Sequence, residues 1–150
     1  MNRIYYWSSN FDEIEALIDE LSKSDKFLIP VFLLRSQLIE YALKYLLLHA
    51  PYKPKQGLGK KPTEEMMMGE VIVKLRECND VHFASVIDAA LDFKELRNEV
   101  THNLMNSPKS ISEVERLIEE KLEIAEKIEK QINYYAQYVE DVLGVNFEAI

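Results

Sequence analysis

Arg97, Asn98 and His102 stand close together in a chain that holds three histidines and a net charge of -8. They combine a permanent cation, an amide that both donates and accepts, and an imidazole that can take up or give a proton. Such a set suits proton transfer next to a centre where negative charge builds up. Leu91, Leu96, Val100 and Leu104 recur about a helical turn apart around it, with no glycine or proline between them, so the stretch reads as a helix. On a straight helix Asn98 and His102 share a face, whereas Arg97 and His102 point about 140° apart. Convergence on one small target therefore requires a helix that bends or ends near Thr101, or a second copy brought across a two-fold axis. Otherwise Arg97 pairs with Asp92, Glu95 or Glu99, and His102 hydrogen-bonds near the helix end.

The elements that must hold this set follow from the apolar pattern. A first helix carries Asp12 and Glu13 in its first turn behind Ser9 or Asn10 as cap, with Phe11, Ile14, Leu17, Ile18 and Leu21 on one face. A second opens at Ser24-Asp25, holds Pro30 early, and is apolar nearly all round from 31 to 49, as expected of the central helix of a bundle. Arg35, Glu40 and Lys44 interrupt it. Glu40 and Lys44 have the spacing of a surface ion pair, but in so apolar a helix they equally suit a cleft.

Residues 50–62 form a loop rich in proline, glycine and lysine, either a solvated connection or a local rim that attracts phosphate. Thr63 caps a third helix to which Met66 to Met68, Val71, Ile72 and Leu75 give core packing. Asn79-Asp80 ends that helix and caps a fourth, over 81–104, which carries the central set. Ser110 with Glu113, or Ser112 with Glu115, opens a last helix of about thirty residues that stops at Gly144, with Lys121 the break in its apolar seam. Glu119, Glu120, Glu123, Glu126 and Glu129, interleaved with Lys127 and Lys130, read as its solvated face. The expected architecture is a single-domain, all-α up-and-down bundle of about five helices with a long C-terminal helix.

Composition narrows the function. With 150 residues, 47% hydrophobic and 29% charged, a globular domain with a real core is expected. Residues 1–10 lack the apolar run of a signal peptide, and no apolar stretch suffices to span a bilayer, so no membrane association is expected. The lone Cys78 fits a reducing cytoplasm and a buried thiol. His49 and His82 lack partners at ligand spacing, so neither a metal nor a cofactor is indicated. The acidity argues against a broad grip on nucleic acid, and confines any RNA contact to a local basic cleft.

Arg97-Asn98-Glu99-Val100-Thr101-His102 resembles the R-N-x3-H form of the arginine–histidine motif of the HEPN superfamily. The stretch from Arg35 to Leu47, with Glu40 followed four residues later by Lys44 and then an apolar pair, resembles that family's early helix, and the helix order matches from about Phe11 to Tyr138. The resemblance implies a homodimer whose paired motifs line an interface cleft. It also implies a metal-independent endoribonuclease, often the toxin of a toxin–antitoxin or defence pair held by an antitoxin protein. On that reading His102 acts as general base or acid, Arg97 stabilises phosphoryl charge, Asn98 orients the imidazole or the phosphate, and Glu40 and Lys44 line the cleft. The alternative is a non-catalytic member that serves as an interaction or ligand-binding module.

Overall fold

A computed structural model describes residues 9–48, 65–106 and 109–143, and among them every regular element is helical. The aromatic run Tyr5, Tyr6 and Trp7, the loop at 50–62, Thr63 and Gly144 lie outside the described residues, as do the side chains of Ser9, Asn10 and Phe11. The α-helices are α1 (Ser9–Leu21), α2 (Leu28–Leu48), α3 (Met68–Glu77), α4 (Ala84–Met105), α5 (Ile111–Glu120) and α6 (Leu122–Leu143). The all-α bundle expected from the apolar periodicity is the observed architecture.

The central position of α2 follows from its composition. Phe32, Leu38, Ile39, Ala42, Leu43, Tyr45, Leu46 and Leu47 are buried on nearly every side of it, against α1, α3, α5 and α6. Ser24 starts the segment by accepting a hydrogen bond from the Lys26 backbone N–H (3.3 Å), which opens a 3-10 turn over Asp25–Phe27. Pro30 falls in the first turn of α2, where its missing backbone N–H breaks no helical hydrogen bond. On α1 the buried contact comes from Ile18, while Leu17, expected on the same face, is about half exposed.

Between α3 and α4 the chain reverses at Asn79, whose φ of 54° is one that asparagine tolerates better than most residues. Asp80 then caps the next element through its Oδ1, which accepts from the His82 N–H (2.9 Å). The 3-10 turn Val81–Phe83 leads directly into α4, in agreement with a helix expected over 81–104. Phe83, Val86, Ala90, Phe93, Leu96 and Val100 face the core, and Phe93 meets Phe32 of α2 at 5.9 Å between ring centroids.

The C-terminal segment departs from the single long helix expected. Ser110 caps α5 as the sequence suggests, accepting from the Glu113 N–H (3.2 Å). The helix then breaks at Lys121, with φ -115° and ψ 18°, and restarts as α6. A lysine at a seam position of a buried helix would carry an ammonium into the core. The one-residue break turns it outward, where its Nζ lies 3.3 Å from Glu99 of α4.

A second departure concerns Glu129. It belongs to the acidic run expected to face solvent, yet it is completely buried. Its Oε1 accepts from the Nε of Arg35 (2.8 Å) and lies 2.6 Å from Nη2 of the same guanidinium. Arg35 and Glu129 thus tie α2 to α6 inside the bundle, and neither charge is affordable there without the other.

Candidate functional site on the outer edge of α4

α4 runs without a break from Ala84 to Met105, so the helix neither ends nor distorts at Thr101. Its regular turn leaves Arg97 between the buried and the outward faces, and it directs Asn98 and His102 to solvent, where both are exposed. Arg97 and His102 are separated by about 7.5 Å along the axis and about 140° around it. Within one chain the cation and the imidazole therefore do not converge.

What the fold does bring together is Arg97 and Glu40. Nη1 of Arg97 lies 3.5 Å from Oε1 of Glu40, across the seam between α4 and α2, with both side chains about one-fifth to one-quarter exposed. The local alternatives at Asp92, Glu95 and Glu99 are not the ion-pair partner in this arrangement; Glu99 instead meets Lys121. The 3.5 Å separation is long for a charge-assisted hydrogen bond and both side chains keep some exposure, so another anion can compete for the guanidinium. Lys44, expected beside Glu40, is buried, and its Nζ stands 5.3 Å from the centre of the Tyr41 ring, a cation–π arrangement.

His102 sits in the last turn of α4, and its backbone carbonyl accepts from the Asn106 N–H (2.8 Å), closing the helix. The imidazole is on the same outward face as Asn98 one turn earlier, an arrangement that lets the amide hydrogen-bond a group held by the imidazole. Exposed Met105 follows in that turn, so the polar pair is bordered by apolar surface. Three of the five residues singled out from sequence thus lie at an accessible edge of α4, Glu40 contacts one of them, and Lys44 is set back into the bundle.

Sequence reasoning missed the Arg35–Glu129 pair. Arg35 gave a signal: a charge in the most apolar helix of the chain must find a buried partner, and residues 94 positions apart supply each other. A further polar link lies at the opposite end of α6. Tyr135 donates its hydroxyl to Oδ2 of Asp80 (3.0 Å), and burial, reinforced by the Asp80 charge, pushes the phenol well above the ordinary tyrosine range. His82 stacks on Tyr138 at 3.8 Å beside it, a packing role for the one described histidine outside the central set.

No group of three or more His, Cys, Asp or Glu side chains among the described residues is placed to hold a metal ion. No helix among them is long and apolar enough to cross a membrane. Comparison with family models, with curated proteins and with solved structures finds no match to the chain.

Proposed function

We propose that the chain is a metal-independent endoribonuclease of HEPN type whose site is completed when two copies place their α4 edges together. The observation that carries this reading is the accessible pair Arg97 and His102 on one unbroken helix, with Asn98 between them and no means of converging within a single chain. A two-fold axis along that edge supplies what one helix cannot: two guanidiniums and two imidazoles around a shared cleft.

The reaction that fits is transesterification at a phosphodiester. The ribose 2′-oxygen forms a bond to the adjacent phosphorus and the bond from phosphorus to the 5′-oxygen breaks, leaving a 2′,3′-cyclic phosphate and a 5′-hydroxyl. One His102 takes the proton of the 2′-hydroxyl, and its symmetry mate protonates the departing 5′-oxygen. Arg97 exchanges Glu40 for the phosphoryl oxygens, where its planar fork meets the charge that develops in the transition state. Asn98 holds the imidazole or a phosphate oxygen. An activity of this kind requires restraint in its host, which gives an antitoxin protein as the expected partner and the cytoplasm as the expected place of action.

A second reading is a non-catalytic interaction or ligand-binding module. It is favoured by the net charge of -8 and by the neutralisation of Arg97 by Glu40. Incubation of the purified chain with labelled RNA in EDTA separates the two. Cleavage to cyclic-phosphate ends, lost by about 10² to 10⁴ in His102→Ala and also in Arg97→Ala, is the expected result. Intact RNA at high protein concentration leaves the module reading standing, and cleavage that survives both substitutions rejects the assignment of the site.

A further inference from the structure

A cavity of about 190 Å³ opens where the turn after α1 meets the start of α2 and the break between α5 and α6. Its walls are Phe27, Val31, Phe32, Ile118 and Leu122, and Arg35 joins its lining. Phe27 and Leu122 are each about two-fifths exposed, so apolar side chains flank its mouth as well. The space exceeds the roughly 150 Å³ that takes up benzene in an apolar protein cavity, and it is smaller than the pockets of about 300 Å³ and more that hold drug-sized ligands. A single ring with one small substituent is the matching size.

The polar lining sets the chemistry. Two serines reach the cavity: Ser22 Oγ donates to the Ile18 carbonyl (2.6 Å), and Ser24 Oγ accepts from the Lys26 N–H and keeps its own O–H to donate. Arg35 faces Glu129 with Nε and Nη2 and, as part of the lining, still holds guanidinium N–H groups for a ligand's acceptor. Glu129 already balances the guanidinium charge, and Asp25 adds a carboxylate to the lining. An anionic ligand would meet that surplus negative charge, and a cationic one would meet the guanidinium. We infer that this cavity is a binding site for a small, uncharged aromatic molecule with one hydrogen-bond acceptor, its ring between Val31 and Ile118 and its acceptor on Arg35. This inference is independent of the nuclease reading, since the cavity uses neither the α4 edge nor its residues.

Titration of benzamide, benzoate and benzene into the full chain, followed by methyl NMR of Val31, Ile118 and Leu122, tests it. Benzamide is expected to give saturable shifts at these methyls and to bind about tenfold or more tightly than benzoate. Leu122→Trp, at the rim, and Val31→Trp, in the wall, are expected to abolish those shifts. If Val31→Trp does not fold, the rim variant carries the test alone, because Leu122 is part-exposed at the mouth and an indole there can lie across the opening without displacing the core. The double variant Arg35→Met with Glu129→Leu removes both buried charges together; it is expected to keep benzene and to weaken benzamide about tenfold. The inference is overturned by absence of saturable shifts at millimolar benzamide, by benzoate binding as well as benzamide, by benzamide binding to a filled variant that melts like wild type, or by unchanged benzamide affinity in the double variant.

Discussion

Two arginine–glutamate pairs leave α2, and they differ in almost everything except composition. Arg35–Glu129 reaches α6 through the core, with Nε donating at 2.8 Å and the glutamate fully buried. Arg97–Glu40 joins α4 at its edge, at 3.5 Å and with both side chains part-exposed. In the first, each charge is held by the heavy cost of leaving the other alone. In the second, water replaces either partner cheaply, so the arginine is available to a ligand. Burial, not residue type, decides which pair is architecture and which is a candidate for chemistry.

The most direct way to break this contrast is to remove one member of the buried pair. Glu129→Ala should destabilise the chain by about 3–5 kcal/mol in urea denaturation, because it strands the Arg35 guanidinium. The Arg35→Met and Glu129→Leu double variant should recover most of that loss, and equal losses in the single and double variants would refute the account. The Tyr135–Asp80 link, which joins a neutral donor to a charged acceptor, should fall in between. Tyr135→Phe is expected to cost about 1–2 kcal/mol at neutral pH.

That variant also carries a pH signature. Burial and Asp80 raise the Tyr135 phenol in the folded state, so its contribution is complete below the unfolded tyrosine value of about 10 and declines as pH rises above it. Stability of the wild type should therefore fall more steeply with alkaline pH than that of Tyr135→Phe, by denaturation at pH 8 through 11. Glu40→Gln should change stability by less than about 1 kcal/mol while tightening the binding of a short RNA in filter assays, since it frees Arg97. An unchanged or weaker affinity would mean that Glu40 positions the arginine for another purpose. Lys121→Ala should be the mildest, a few tenths (about 0.3) of a kcal/mol in thermal melting, because Glu99 and Lys121 are both largely in water.

The helices were legible because their signals are local. The run of Leu, Ile and Phe around α2, the Ser110–Glu113 spacing and the Asp80 cap each act over a few residues, and each appears where expected. Glu129 was misread. Glu126 and Lys130 flank it as they would on a wet surface, but its helical phase with Ala125, Ile128 and Ile132 puts it on the buried face, where it meets the distant Arg35. Lys121 was half legible: it visibly interrupts the apolar seam, but the interruption alone does not say whether the lysine is tolerated or the helix gives way. At the candidate site the helical phase of Arg97, Asn98 and His102 follows from spacing, whereas the choice of Glu40 over nearer acids depends on how α2 lies beside α4. Convergence of Arg97 with a second His102 depends on another copy, which no pattern within one chain specifies.

Asp80 uses one carboxylate to cap the 3-10 turn that leads into α4 and to receive the Tyr135 hydroxyl from far along α6. The opening turn of one helix and the distal half of another are therefore fastened at the same two oxygens. Amide protons in these two stretches should exchange with deuterium as one cooperative unit, and loosening either should release both.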